Sequence, residues 1–490
     1  MSKKQLRKII NWLSLGLMTV LLSFMIRLPA IADTPKHYTE LEFPSLPEIQ
    51  IPEYDRYELD NGMVVYLLED RDLPLISANA LIRTGSRFEP ANKVGLAELT
   101  GEVMRSGGTK NHPAEELNLI LEQKAASVET NIDITSGNAS FSTLTEDLDT
   151  VFQLFTEVIR QPAFPPEKFA LAKNQQKGGI ARRNDDPAEI ASREFDKVIY
   201  GETSPYARTV EYQTLDSISR EDVINFYQEH IRPDNMILGI VGDFDSDAMI
   251  QRVQNAFGDW KTDATLPALD APRATQKYDS GIFLVNRPQL TQSNVFLGHL
   301  GGQFDSPDYA TLSVLNGVLN GFGGRLFNEV RSRQGLAYSV YGSWNPSYDF
   351  DGTFVAGGQT QTENTVPFIK SILAEIAKLR TTPVTKKELT NAKESILNSF
   401  VFNFQSPSQT LSRLMRYEYF DYPEDFIFQY QDKVQSTTES DILQVAQEYL
   451  HPEKMVTLVV GNGEAMKPPL DSLGTEITTV DISIPQPANS

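Results

Sequence analysis

The sequence predicts an α+β protein of two homologous domains, each a largely antiparallel sheet with helices packed on it. Two observations carry this. Short strand-like runs and amphipathic helical runs are mixed without the strand–helix alternation of a parallel α/β sheet. And SREDVINFYQEHIRPDNMILGIVGD, residues 219–243, pairs at a fixed offset of 219 with TESDILQVAQEYLHPEKMVTLVVGN, residues 438–462. Gln228-Glu229 match Gln447-Glu448, Pro233 matches Pro452, Met236 matches Met455, and Val241-Gly242 match Val460-Gly461. A repeat this long is a duplicated domain, not a short solenoid unit.

In chain order, residues 57–59 and 64–68 flank an Asp60-Asn61-Gly62 turn and read as a hairpin. Residues 75–82 read as a strand, 95–109 as a helix closed by Gly107-Gly108, and 114–124 as another helix. Strands at 127–130 and 138–143 surround a Gly137 turn. Residues 148–160 form a strongly amphipathic helix closed by Gln161-Pro162, and a further helix follows Pro165-Pro166 until Asp185-Asp186-Pro187 breaks it. Ser219 is a natural cap for a helix over 219–230, with a strand at 235–241. Residues 369–379 correspond to the helix at 148–160, each followed by a proline break. The domains are thus expected at 55–261 and 278–465, joined by an Ala-, Pro-, Thr- and Asp-rich linker at 262–277. An extended lead-in covers 33–54, and a Pro-rich tail covers 466–490 with one short strand at 476–484.

Residues 1–32 have the parts of a secretory signal: Lys3, Lys4, Arg7 and Lys8, an apolar stretch at 9–26, and the small-residue site Ala30-Ile31-Ala32. Cleavage after Ala32 would give an extracytoplasmic chain, periplasmic or secreted, with no stable membrane anchor. The alternative is an uncleaved anchor, since the apolar run is about long enough to span a bilayer. The chain has no cysteine, which excludes disulfides and thiolate metal sites. Its formal net charge of −21 argues against nucleic acid or anionic lipid as the main partner.

The helix GLAELTGEVMRSGGT, residues 95–109, projects Glu98 and Glu102 from one face. Its surroundings resemble the zinc helix of the pitrilysin/insulinase metallopeptidases, whose signature is His-x-x-Glu-His. Gly95, Leu96 and Ala97 match that pattern, but Glu98 and Glu102 stand in the histidine slots and Gly101 in the slot of the catalytic glutamate. The family's third ligand, a glutamate seventy-seven residues after the second histidine, falls here on Gly179, and the glutamate seven residues before that falls on Ala172. Two imidazoles one turn apart and a carboxylate to activate water are what such chemistry needs. No metal ligand or cofactor is therefore expected in this chain. Glu98 and Glu102 read as solvated or ion-paired acids, and the five histidines as structural or surface residues, none having a second at ligand spacing.

In the second half, GFGGRLFNEVRSRQGLAYSVYGSW, residues 321–344, resembles the family's second signature. It has a helix ending in an arginine and a tyrosine seven residues on, matched by Arg331 and Tyr338. The resemblance implies that this pair holds the scissile peptide group across the cleft from the zinc. A guanidinium and a phenol can both donate to a developing oxyanion. The plainer alternative is an Arg331–Glu329 surface ion pair with Tyr338 packed in a strand. The resemblance covers roughly residues 50–465 and implies two homologous domains forming half of a clamshell. It further implies an unfolded peptide substrate adding a strand at Ala126, Ser127, Val128, Glu129 and Thr130. In the processing-peptidase-like branch two such chains pair, one bringing zinc and the other the arginine and tyrosine. This chain resembles the second kind: a secreted non-catalytic subunit, inactive alone, whose homologous partner holds the zinc. A purely structural homologue with no role in proteolysis is the alternative. A standalone enzyme is disfavoured, as there is no Gly-x-Ser-x-Gly elbow, cysteine or Ser/His/Asp set.

Overall fold

A computed structural model describes residues 51–261, 269–321 and 323–485. The expected signal, most of the lead-in and the first part of the linker lie outside the described residues. In chain order the first half contains β1 (Asp55–Glu58), β2 (Val64–Glu69), β3 (Leu75–Ile82), α1 (Leu96–Ser106), α2 (Ala114–Gln123), β4 (Ser127–Ile132) and β5 (Gly137–Leu144). Then come α3 (Leu148–Arg160), α4 (Pro166–Arg182), α5 (Pro187–Tyr200), α6 (Tyr212–Ser217), α7 (Arg220–His230), β6 (Met236–Gly242) and α8 (Ser246–Phe257). The second half contains β7 (Gly281–Asn286), β8 (Gln292–Leu300), α9 (Tyr309–Leu319), a π-helical turn (Phe327–Arg333), β9 (Ala337–Asn345) and β10 (Thr353–Gln361). It continues with α10 (Thr365–Thr381), α11 (Lys386–Ser399), α12 (Pro407–Tyr419), α13 (Phe426–Ser436), α14 (Glu439–Tyr449), β11 (Val456–Gly461) and β12 (Ile477–Thr479).

Two six-stranded sheets result, ordered β1-β2-β6-β3-β5-β4 and β12-β7-β11-β8-β10-β9. The duplication is visible in the pairing. β6 runs parallel to β2 and antiparallel to β3, and β11 runs parallel to β7 and antiparallel to β8. The repeat at offset 219 also preserves a helix start. Ser219 and Asp222 form a capping box on α7, and Thr438 and Asp441 form the same box on α14. The sheets differ at one edge: β1 pairs antiparallel with β2, whereas β12, from the expected tail, pairs parallel with β7.

α3 follows its sequence pattern: Val151, Phe152, Leu154, Phe155, Val158 and Ile159 are buried at helical spacing, and Phe155 meets Phe141 of β5 at 5.1 Å between centroids. Asp185-Asp186-Pro187 does break the helix before it, but it also starts the next. The Asp186 carboxylate accepts from the Ala188 and Glu189 amides at 2.6 and 3.2 Å, and Pro187 supplies the preset first turn of α5. α10 begins at Thr365 rather than 369 because Pro367 falls in a first turn, where its missing N–H costs nothing.

The halves are locked by an exchange of helices. α5, from the first half, packs Ile190, Phe195 and Val198 on Phe283, Val285, Val456 and Leu458 of the second sheet. α12, from the second half, packs Leu411, Leu414 and Met415 on Leu68, Ile237 and Val241 of the first. This covering explains why β6 and β11 are buried along their whole length and show no apolar–polar alternation. At Gly239 a Cβ would meet the Met415 sulfur at 2.3 Å, and at Gly298 the Phe195 ring at 2.8 Å. The buried Arg87–Asp349 pair (2.7 Å) and the bidentate Arg56–Glu418 pair add charged ties across the same seam.

Candidate functional site: a closed helix and an open arginine–tyrosine pair

Helix α1 starts from Gly95, whose φ of 103° suits glycine. The buried carboxylate of Glu89 accepts from the Gly95 and Ala97 amides at 3.1 and 2.9 Å, capping the positive end of the helix. Burial pushes the Glu89 carboxyl up, against the opposing pull of those amides. Leu96, Leu99, Val103 and Met104 are buried, so Glu98 and Glu102 share the remaining face. Glu98 reaches solvent but sits in a recess of protein, and desolvation raises its carboxyl; Glu102 is raised by desolvation and then by the Glu98 charge.

Gly101 faces the edge strand β4. A Cβ there would lie 2.6 Å from the Ile132 amide nitrogen and 2.8 Å from the Asn131 carbonyl carbon. The Gly101 carbonyl accepts from Thr130 Oγ1 (2.6 Å), and the Val128 carbonyl accepts from Arg105 Nε (2.5 Å). The helix is therefore seated directly on β4 at the slot of the family's catalytic glutamate. On α4, Ala172 is buried, whereas Gly179 is open, with nothing within 4 Å of a Cβ. Among the described residues no group of three or more His, Cys, Asp or Glu side chains is placed to hold a metal ion. The residues present do not fit the family's zinc: the donors are two raised carboxylates, and the base position is closed by backbone.

The described histidines have structural partners. His112 Nδ1 meets Glu157 at 2.8 Å, and His230 stacks on Phe226 at 4.0 Å. His299 and His451 pack 5.6 Å apart between centroids, but His299 Nδ1 bonds the Leu300 carbonyl and its Nε2 accepts the His451 amide, so it has no lone pair to spare. Burial lowers His230 and His299 to about 4, leaving both neutral at pH 7. His37 lies outside the described residues.

Residues 126–130 fall on and just before β4, an edge of the first sheet; Val128 is buried, while Ser127 and Glu129 are exposed. Tyr338 lies on β9, which has the corresponding edge position in the second sheet. The π-helical turn and Gly335, at φ 64°, bring Arg331 and Tyr338 to one surface despite seven residues between them. The Arg331 guanidinium carbon stands 5.7 Å from the Tyr338 ring centroid and 4.9 Å from that of Phe327. Glu329 pairs with Arg333, not Arg331, and Tyr338 is 75% exposed. The helical turn runs on past Arg331 to Arg333. Phe327 is the member of this cluster that sequence reasoning missed; an aromatic four residues before a helical arginine was the available signal.

Two family profiles match the chain: "Insulinase (Peptidase family M16)" over residues 66–206 and "Peptidase M16 inactive domain" over residues 217–396. The chain belongs to peptidase family M16, the pitrilysin/insulinase family, as an inactive-type member. It is 27% identical over 365 residues to the uncharacterized zinc protease YmxG of Bacillus subtilis, covering 73% of this chain and 86% of that one. It is 24% identical over 377 residues to the non-peptidase homolog YmxG of Helicobacter pylori, covering 75% and 85%. A peptidase M16 inactive domain from Pseudomonas fluorescens superposes with a TM-score of 0.75 at 25% identity, covering 85% of this chain and all of that one. A protease from Helicobacter pylori, at 21% identity and a TM-score of 0.71 over 84% of this chain and 99% of that one, shares the fold. In this M16 chain the zinc-helix slots of the first half hold Glu98, Gly101 and Glu102, and Arg331 and Tyr338 meet on one surface of the second half.

Proposed function

We propose that this M16 chain is the non-catalytic, extracytoplasmic subunit of a heterodimeric zinc peptidase. Its homologous partner holds the zinc and the catalytic base. Arg331 and Tyr338 donate hydrogen bonds to the substrate carbonyl and to the oxyanion that develops when water attacks. The observation that carries the reading is the stacked, exposed arginine and tyrosine with no carboxylate competing for the guanidinium among the described residues. An extended, unfolded peptide pairs along 126–130, on and just before β4, for which Arg105 must release the Val128 carbonyl. The mature chain begins near Asp33, outside the cytoplasm; the leader-like composition of residues 1–32 supports this, and N-terminal sequencing of native protein that finds Met1 intact would sink it.

The test is reconstitution with a homologous chain bearing an intact His-x-x-Glu-His. Expected are no cleavage by either chain alone, chelator-sensitive cleavage of a quenched peptide by the mixture, and loss of that activity with Arg331→Ala in a complex that still forms on size exclusion. If Arg331→Ala and Tyr338→Phe both leave the rate unchanged, the chain is a structural homologue with no role in proteolysis.

A further inference from the structure

A second site lies on α12, away from α1. There a recess of about 460 Å³ is lined by Arg413 and Arg416, with Asn403, Ser412, Phe402 and Tyr348 among its walls and no Asp or Glu. The chain has 65 acidic and 44 basic residues, and other arginines are neutralised, as Arg325 is by Glu388 and Arg333 by Glu329; this recess instead gathers two guanidiniums and no carboxylate. Neither Arg413 nor Arg416 has an ion-pair partner among the described residues. Arg413 Nη2 donates to Asn403 Oδ1 at 2.8 Å, a neutral acceptor that leaves the guanidinium charge uncompensated. Hydrogen bonds from an ionised donor to an anionic oxygen are stronger than those to a neutral amide, so an incoming carboxylate is favoured here. The Arg416 guanidinium carbon lies 5.8 Å from the Tyr348 ring centroid, and Arg416 is exposed. The recess also has an apolar lining: Phe402 is 60% exposed, one of few large apolar side chains so open.

We infer that this recess binds the terminal carboxylate of a peptide whose last side chain is apolar. Two guanidiniums one turn apart suit the two oxygens of a carboxylate, in bidentate or bridging fashion. Phosphate shares that chemistry but has no apolar body to cover Phe402 and Tyr348, so the walls favour the peptide end. The inference holds whether or not the chain takes part in proteolysis, since it concerns binding by this chain alone.

The experiment is fluorescence-polarisation binding of an N-terminally labelled peptide ending in Leu-Phe to the full mature chain. The free acid is expected to bind about tenfold or more tighter than its C-terminal amide, the loss typical of a charge-assisted hydrogen bond. Arg416→Gln, at an exposed position, should produce the same loss without changing Tm. Phe402→Ser should weaken the Phe-ended peptide and leave a Gly-ended one unchanged. Lys467→Gln, at an exposed position outside both sites, should change nothing. Equal binding of acid and amide, or wild-type binding by Arg416→Gln, overturns the proposal. So does displacement of the peptide by inorganic phosphate at the concentration at which unlabelled free acid displaces it, which would make the recess a general anion site.

Discussion

β4 and β9 close the same edge of two homologous sheets, yet their surroundings have diverged in opposite directions. On β4 a helix has settled onto the strand, with Gly101 in backbone contact and Arg105 and Thr130 stitching the two together. On β9 the preceding turn is π-helical and short, and Arg331 and Tyr338 stand out into solvent. At Gly101 the β4 backbone fills the space in which a side chain would stand. Around Arg331 and Tyr338 the surface is open: both residues are exposed. A surface cation–π stack contributes little to stability, about 0.5–1 kcal/mol, so folding alone gives little reason to hold Arg331 and Tyr338 together.

The largest effect that would break this comparison is kinetic. In the reconstituted complex, Arg331→Ala and Tyr338→Phe should each lower turnover on the order of a hundredfold, as loss of one oxyanion donor typically does. The double substitution should cost less than the product of the singles, because both donors serve one transition state. Glu98→Gln and Glu102→Gln should leave that rate unchanged, and a comparable loss from either would move the chemistry back to α1.

Next in size is a contrast of two glycines that stand where the family resemblance places glutamates. Gly101→Glu should destabilise the chain by about 1–3 kcal/mol or more, since its side chain must push α1 off the β4 backbone. Gly179→Glu, into open space, should stay within about 0.5 kcal/mol. Urea denaturation of both variants measures this, and equal stabilities would show that α1 is not seated as described. The same contrast limits revival: histidines at 98 and 102 with glutamates at 101 and 179 should restore little zinc affinity, because the helix must lift first.

The two exchanged helices give a smaller, pH-dependent contrast. On α12, Glu418 is held below the ordinary carboxylate range, with burial opposed by Arg56 and Tyr66. On α5, Asp196 has no cation or donor at its carboxylate among the described residues, and burial pushes it up to about 7. Its proton is bound more tightly in the folded chain, so stability falls as pH rises from 3.8 through about 7. Asp196→Asn should therefore raise Tm at pH 8 by a few degrees, and by less at pH 5. A gain independent of pH would mean that Asp196 does not titrate in that window.

The legible features were those set by local pattern. The offset of 219 exposed the duplication because capping boxes and strand ends are read within a few residues. The substituted zinc slots stood out because Gly95, Leu96 and Ala97 carry the family resemblance and fix its register on one short helix. What stayed hidden depends on distant chain. Nothing in residues 187–200 says that their apolar face is spent on the other domain's sheet, since amphipathicity names a face and not its partner. Gly101 read as a lost glutamate; that it touches Ile132 and Asn131 required the fold. Arg413 and Arg416 read as ordinary helix-surface residues, because a missing ion-pair partner is visible only once every neighbour is placed.

The smallest effect concerns the paired acids of α1. Glu98 and Glu102 are both raised above the ordinary carboxylate value, the first by desolvation and the second also by its neighbour's charge. A carboxyl raised on folding holds its proton more tightly in the folded chain, so it destabilises progressively as pH climbs above 4.5. Glu98→Gln removes that penalty at its own position and the repulsion felt by Glu102. The variant should gain slightly in Tm at pH 7, gain nothing at pH 4, and shift the Glu102 carboxyl back toward its ordinary value in a carboxyl-detected NMR titration. Because Glu98 reaches solvent, screening keeps the Tm change small, and the NMR shift is the sharper readout. An unmoved Glu102 would show that the two carboxylates do not sense each other, and that the α1 face is an ordinary solvated surface.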